Sequence, residues 1–457
     1  MDSPSPHPAV LPAPGSPDAP GSPGSEKLPV SRRYAWTVFA LAFALMLTDF
    51  VDRQIIVATF PLLKEEWGLS DTRLGALVSV VSVTVALGAL PFALVADRWS
   101  RAKSIAVMGT VWSLAAMACA MVGNYAQLLA ARAAIGLGEA GYGPAGGALM
   151  AGLFPQRLRA TVVGALQAAG PLGVVLGVFL GGLMVPSLGW RTTLAVFAAP
   201  GLLLALLFLK VREGREVREG RTPVAGPAAA AAPADAAPIR TRGALAELFR
   251  SRTAVASYLG GAMQLVVLST LYAWLPSYLT RTHDHTSAEA GAVSAAAVVA
   301  SAVGTVVLGY AADRAGAARA RRKLTLPAGL ALLALVLLTS AFAWAPAGPV
   351  QLVLIVAGAF TVTAAVGPVP AVVMDVVDPE LRATALGMVT LIQNLFGLAV
   401  GPLLTGWLSD TLGIAAALAL MPLFCAGAAA ALWTASRSYE RELRTDADGA
   451  TPQAAAL

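Results

Sequence analysis

The chain has 457 residues, of which 57% are hydrophobic and 13% are charged, with a mean hydropathy of +0.70 and a formal net charge of +6. A soluble protein of this size carries about 25% charged residues. So much apolar surface excludes a water-soluble globular protein and indicates a chain that lies in a lipid bilayer.

Hydropathy along the chain predicts twelve transmembrane helices, each needing roughly 20 residues. They follow a disordered tail at 1–32, which is rich in Pro, Ser and Gly and has too little apolar surface to fold. Two six-helix halves at 33–210 and 253–436 are separated by a charged, Ala/Pro-rich linker at 211–252. A second tail occupies 437–457. The predicted fold class is therefore an all-α membrane protein with two six-helix halves.

The positions of Lys and Arg predict the orientation. Basic residues concentrate in the inner loops of membrane proteins, so both termini and the linker are expected in the cytoplasm. The outer loops then hold only Lys64, Arg73, Arg191 and Arg281. Topology thus explains the pI of about 9.5 without a nucleic-acid partner. We expect a multi-pass protein of the cell (inner) membrane.

Ionisable residues interrupt two of the predicted spans. Span one contains Asp49, Asp52 and Arg53, and span four contains Arg132 and Glu139. At the bilayer centre an ionisable group costs at least about 2.5 kcal/mol, so such residues tend to line a pathway or bind a solute. The pattern indicates a solute transporter.

The spacing of these charges suggests how they work. Arg132 and Glu139 share a helix face about 10 Å apart along the axis. Asp52 is expected at the depth of Arg132, where the two pair or exchange partners, while Glu139 has no permanent cation at its own level. Burial and a nearby arginine together let a carboxyl exchange protons near neutral pH. Glu139, Asp52 and Asp49 are the predicted proton-coupling residues. A static ion pair between the two spans, or a local pair of Asp49 with Arg53, remains as a structural alternative.

The two halves also repeat short sequences. The tetrapeptide Leu-Arg-Ala-Thr at 158–161 recurs at 381–384, and Asp-Arg at 97–98 recurs at 313–314. Both repeats fall on equivalent inner loops of their halves. This indicates a duplicated six-span unit, an architecture known among transporters.

Several motifs resemble those of the major facilitator superfamily. Residues 93–103 resemble its signature between spans two and three, with Ala93 and Ser100 where Gly is usual. Residues 132–140 resemble its Arg-xxx-Gly-x-Gly motif, and residues 170–182 resemble the Gly-Pro motif of its antiporters. The resemblance implies two six-helix halves that transport by alternating access.

A narrower resemblance is to the Spinster branch of that superfamily. It rests on Asp52-Arg53 together with residues 132–140, whereas Asp49 stands where that branch has Asn. Members of the branch are implicated in moving lysophospholipids and sphingosine phosphate. The resemblance therefore implies an amphiphilic, lipid-like substrate and proton coupling.

The superfamily resemblance also implies a cytoplasmic network of charges that holds one state of the transport cycle. The residues assigned to this conformational gate are Asp97, Arg98, Arg101, Lys103, Asp313, Arg314, Arg159 and Arg382. A plain positive-inside anchor explains the basic residues equally well, but it does not explain Asp97, which recurs at Asp313.

The second half differs from the first, because it carries no mid-membrane Lys or Arg. One charged and one largely apolar half suit an amphiphile. The predicted substrate-binding residues are Arg132, Glu139, Arg53, Tyr272, Gln393 and Asn394. The sequence thus predicts a proton-coupled secondary transporter of a lysophospholipid-type or drug-like solute. A symporter of small organic anions and a non-transporting membrane sensor or scaffold remain as alternatives.

No enzymatic activity, cofactor or metal site is expected, and the proton gradient is the expected energy source. Cys119 and Cys425 fall in separate hydrophobic stretches, and His283 and His285 lie in a short polar loop. Neither pair gives a disulfide framework or a metal motif. The expected partners are a small amphiphilic substrate, protons and the lipid bilayer, and we expect a monomer.

Overall fold

The computed structural model describes residues 31–98, 100–211, 248–283, 285–378 and 381–454, and these residues are helical with no strand among them. The predicted N-terminal tail up to residue 30 and the linker at 212–247 lie outside the described residues. The same holds for the side chains of three predicted gate residues, Asp97, Arg98 and Arg101.

The first half begins with a long helix and ends at Phe208. Its helices are α1 (Arg32–Ala58), α2 (Phe60–Trp67), α3 (Asp71–Arg98), α4 (Arg101–Met121), α5 (Tyr125–Glu139), α6 (Tyr142–Leu153), α7 (Gln156–Gln167), α8 (Ala169–Leu188) and α9 (Trp190–Phe208).

The second half begins at Arg252 and includes one π-helical segment. Its helices are α10 (Arg252–Thr282), α11 (Ser287–Ala318), α12 (Arg322–Ala343), α13 (Pro349–Thr361), α14 (Pro368–Asp375), α15 (Arg382–Ile392), the π-helix (Gln393–Leu398), α16 (Val400–Leu412), α17 (Ile414–Leu420) and α18 (Leu423–Ala454).

Ten helical segments in the described part of the chain are long and apolar enough to cross a membrane. Two of the twelve predicted spans are broken instead. Span four appears as α5 and α6, with Gly141 at the N-cap of α6. Span ten appears as α13 and α14, and α14 starts at Pro368, which has no N–H to continue a helix. The first break leaves Glu139 at the very end of α5.

A row of glycines lets α8 pack directly against α1. An added Cβ at Gly173 would lie 2.8 Å from the Leu47 carbonyl oxygen, and one at Gly177 would lie 2.6 Å from that of Val51. Gly residues at this spacing let helix backbones approach closely. The glycine face of α8 therefore holds α1, with its charged residues, in a fixed position.

The two halves touch at one end of the bundle. The distal end is defined here as residues 59–75, 122–126, 187–192, 274–290, 344–349 and 405–413, opposite the start of α1. There the Phe60 and Trp274 rings lie 5.3 Å apart. Backbone approaches at the same end join α3 to α16 and α8 to α11.

The second half has its own network of polar bonds at the opposite end, among the described residues. The Ser251 hydroxyl donates to Glu442 at 2.7 Å, and the Tyr439 hydroxyl donates to Asp375 at 2.7 Å. Lys323 Nζ also lies 3.1 Å from the Asp375 carboxylate. The described ion pairs and side-chain bonds between the halves thus concentrate at the distal end.

Replacing Gly136 by Ala should destabilise the protein, because its Cβ would clash with Thr84 Oγ1 and the Val81 carbonyl oxygen on α3. Overpacking of this kind costs about 1–3 kcal/mol. Gly147→Ala in α6 is the matched control, since its Cβ meets nothing within 4 Å and alanine favours a helix by up to about 1 kcal/mol. In detergent, the melting temperature should be highest for Gly147→Ala, intermediate for the native protein and lowest for Gly136→Ala. Equal melting temperatures for the two variants would contradict the close approach of α5 to α3.

Candidate functional site

Helices α1 and α5 bring five ionisable side chains together inside the first half. Asp49, Asp52 and Arg53 come from two turns of α1, and Arg132 and Glu139 come from α5. We call these five residues the charged cluster. All are buried except Arg53, whose side chain is 21% exposed. Ionisable groups at this depth cluster because each needs partners that lipid does not supply.

The central interaction of the cluster is an ion pair between Arg53 and Glu139. Arg53 Nε donates to Glu139 Oε2 at 2.7 Å, and Arg53 Nη2 donates to the same oxygen. The prediction that Glu139 lacks a cation at its own level was therefore wrong, and Arg53 pairs across the helices rather than locally with Asp49. Glu139 ends α5 where the helix breaks, so its side chain can extend toward α1.

Arg132 is oriented toward α3 rather than toward α1. Its Nε donates to the Leu77 carbonyl oxygen at 3.1 Å. No ion pair joins it to Asp52, so the predicted direct pair is wrong for this conformation, although Arg132 remains an electrostatic neighbour of Asp52. A buried guanidinium that is held by a backbone carbonyl acts as a fixed positive charge beside the cluster.

The cluster has more carboxyls than guanidiniums. Three carboxyls face two guanidiniums, and Asp49 lies beside Glu139. One buried oxygen on each acid accepts no hydrogen bond from the protein: Asp49 Oδ1, Asp52 Oδ2 and Glu139 Oε1. A buried polar atom without a partner is unfavourable, and a proton on the carboxyl removes the charge and supplies a donor. The arrangement can therefore take up protons.

The polar residues predicted in the second half lie at two levels. Gln393 and Asn394 open the π-helix, and Asn394 Nδ2 donates to the Thr390 carbonyl oxygen at 2.9 Å. Tyr272 is on α10, beside Ser301 of α11. Short π-helical segments inside α-helices occur often at functional sites.

Counting residues along the helices puts Gln393 within about one turn of Arg53 in depth. Trp274 marks a common height, because it packs on Phe60 and its Nε1 donates to the Pro402 carbonyl oxygen at 3.0 Å. Arg53 precedes Phe60 by about two turns and Gln393 precedes Pro402 by about two and a half, which is about 10–13 Å. Tyr272 lies only one half-turn before Trp274, so it sits nearer the distal end.

The described gate residues make contacts within their own halves. Arg159 Nε donates to the Phe154 carbonyl oxygen at 3.3 Å, and Arg314 Nη1 donates to the Tyr310 hydroxyl at 3.3 Å. Asp313 lies 4.0 Å from Lys323 Nζ. The two others differ: Lys103 is exposed, and Arg382 is half-buried with an Nε that has no hydrogen-bond partner.

Sequence reasoning missed two acids at the distal end, Asp71 and Asp410. Each carboxylate accepts hydrogen bonds from residues of the opposite half. The available signal was that Arg281, one of the few basic residues predicted on that side, needs an acidic partner. Among the described residues, no group of three or more His, Cys, Asp or Glu is arranged to hold a metal ion.

Comparison with known proteins relates the chain to membrane transporters. An efflux pump of Mycolicibacterium smegmatis is 29% identical over 430 residues, which is 91% of this chain and 96% of that protein. The 4-hydroxybenzoate transporter of Pseudomonas putida is 30% identical over 177 residues, 39% of this chain and 40% of that protein.

The fold is similar to that of a bacterial homologue of the human lysosomal transporter Spinster, solved in an inward-facing conformation. The TM-score is 0.78 at 22% identity, over 90% of this chain and 99% of that one. Residues 41–395 match the family model of the Major Facilitator Superfamily, as do residues 258–456. The chain therefore belongs to the Major Facilitator Superfamily and is a multi-pass integral membrane transporter.

Proposed function

We propose that this transporter moves an organic anion together with a proton, and that the Arg53–Glu139 pair couples the two. The observation that carries the proposal is the unequal accessibility of the pair. The Arg53 side chain is 21% exposed, whereas that of Glu139 is 3% exposed. The cation is thus the partner that a solute reaches first.

The coupling follows from competition for one guanidinium. A carboxylate or phosphate on the substrate displaces Glu139 from Arg53, since its oxygens can accept the same pair of guanidinium N–H groups. The freed Glu139 is then a buried carboxylate without its cation, which favours protonation. Substrate and proton therefore bind together, and Arg53 recaptures Glu139 when both leave.

The remaining cluster residues have supporting roles in this proposal. Arg132 is a fixed positive charge that attracts the anion, while Asp49 and Asp52 are further carboxyls on which a proton can reside. Gln393 and Asn394 lie at the depth of Arg53 and can donate hydrogen bonds to the rest of the solute. Tyr272 contacts the part of the solute that lies nearer the distal end.

Two classes of organic anion are candidate substrates. A lysophospholipid-type or drug-like amphiphile is favoured by the Spinster-like motifs and by the largely uncharged second half. A small organic acid is favoured by the relatives, which include transporters of 4-hydroxybenzoate and gallate and a protein named as a probable L-galactonate transporter. The mycobacterial relative is an efflux pump, so transport assays should detect movement in either direction.

We further propose a complete topology for alternating access. In it, α5 with α6 and α13 with α14 each cross the membrane once, which gives twelve spans. The halves at 33–210 and 253–436 are joined by a cytoplasmic linker, both termini are cytoplasmic, and the distal end faces outward from the inner membrane. The positive-inside rule supports this orientation.

Glu139→Gln should uncouple transport from the pH gradient. Gradient-driven flux in proteoliposomes should fall at least about tenfold, while substrate exchange without a gradient should persist, because Gln cannot release a proton. Glu66→Gln is the matched control, since Glu66 is an ion-paired acid of the same half outside the cluster. Native-like driven flux in Glu139→Gln would sink the coupling role. If Glu139→Gln lost exchange and thermal stability as well as driven flux, a purely structural ion pair would be favoured.

Asp49→Asn should retain most of the driven flux. Asn offers an N–H to the neighbouring Glu139 in place of a shared proton, so the cluster keeps its hydrogen bonds with one fewer acid. The measurement is gradient-driven flux in the same proteoliposomes. A loss of driven flux as large as that of Glu139→Gln would make Asp49 an equal proton carrier.

Arg53→Lys should weaken substrate binding more than turnover, because an ammonium cannot make the bidentate contact of a guanidinium. We expect KM to rise about tenfold with little change in kcat, measured by exchange. The same exchange assay, run with lysophosphatidate and 4-hydroxybenzoate as competitors, separates the two substrate classes. Failure of both anions to compete, alongside competition by a cationic amphiphile, would overturn the anion proposal.

A further inference from the structure

Asp71 lies where the two halves meet at the distal end. It begins α3, is 2% exposed, and its carboxylate binds two residues of the second half. Both terminal nitrogens of Arg281 donate hydrogen bonds to the carboxylate, at 2.7 and 3.0 Å. The Ser409 hydroxyl donates a third at 2.6 Å. Lys64, from the first half, donates to the same carboxylate at 2.8 Å. Most of the donors that balance this buried charge thus belong to the opposite half.

Asp410 makes the reciprocal contact. Its carboxylate accepts hydrogen bonds from the backbone N–H groups of Asp71 at 2.7 Å and Thr72 at 2.9 Å, and from the Thr72 hydroxyl at 2.6 Å. The first N–H groups of a helix lack partners within it and favour a negative charge. The second half therefore caps the start of a helix in the first half.

Backbone contact explains why the two acids meet. An added Cβ at Gly406 would lie 2.8 Å from the Asp71 carbonyl carbon and 3.1 Å from Thr72 Cα. The start of α3 therefore rests directly on α16. Asp71 and Asp410 find their donors only while these two backbones touch.

We propose that Asp71 and Asp410 form a reciprocal clamp that holds the distal end closed, and that both acids must exchange their partners for water in every transport cycle. They act as positioning residues, distant from the charged cluster. The inference rests on the proposed alternating access but not on any particular substrate. It predicts that the clamp sets the ratio of distally closed to distally open molecules.

The test measures the distance between the halves without a substrate. Spin labels are placed at Ala126→Cys and Ala347→Cys, two exposed distal positions in different halves, after the buried Cys119 and Cys425 are changed to alanine. Double electron–electron resonance then compares native protein with Asp71→Asn and with Asp410→Asn in liposomes.

Glu66→Gln is a matched control at the same end. Glu66 accepts hydrogen bonds from Trp190 Nε1 at 2.6 Å and Arg191 Nη1 at 3.1 Å, all within the first half. Its substitution removes an ion-paired carboxylate without touching the interface between the halves. A thermal melt of each variant verifies that it is folded before distances are compared.

Asp71→Asn should raise the open-to-closed ratio about tenfold or more, because hydrogen bonds to a charged group are among the stronger ones. Asp410→Asn should shift the ratio in the same direction by less, since its carboxylate is more exposed. Glu66→Gln should keep the native distribution. Native distances in both Asp variants, or an equal shift in Glu66→Gln, would overturn the clamp. Because no flux is measured, that result would leave the Arg53–Glu139 proposal standing.

Discussion

The cost of leaving a charge unpaired where water is scarce governs this structure. Glu139 is held by Arg53 across two helices, and Asp71 is held by Arg281 across the two halves. In each case the partner belongs to another element. Any motion that separates the elements therefore exposes a buried ion, and such a motion needs a proton, a substrate or water to replace the lost contact.

Glycine packing makes these ion pairs possible. The charged face of α1 reaches α5 because Gly173 and Gly177 let α8 hold α1 from behind, and Gly136 lets α5 rest on α3. Small residues carry no charge and form no site themselves, but they set the distances at which the charges meet. Lipid offers no hydrophobic drive for helices to associate, so this close fit supplies much of the stability.

The sequence predicted the helical membrane architecture well, because hydropathy and helix length respond to the same bilayer. It also identified the five residues of the charged cluster, since charge within an apolar run is conspicuous. It did not predict their partners. Depth along a helix can be counted, but the rotation of α5 decides whether Arg132 faces Asp52 or the carbonyl of Leu77, and that rotation depends on tertiary packing.

Breaks and long-range pairs were harder still. Spans four and ten read as continuous apolar stretches, although Gly141 and Pro368 mark where the helices divide. Asp71 and Asp410 are separated by most of the chain, and nothing local links them. Their juxtaposition comes from the association of the two halves, which no window of sequence contains.

The ion pair of Arg53 with Glu139 has a consequence for energetics. If a monoanion replaces Glu139 on the guanidinium and Glu139 takes one proton, the loaded protein carries the same net charge as the empty one. The membrane voltage then does no work on the substrate-carrying step, because zero net charge crosses the field. Such a carrier would be driven by the pH difference and the substrate gradient without help from the voltage, and it would keep working in a cell whose membrane had depolarised.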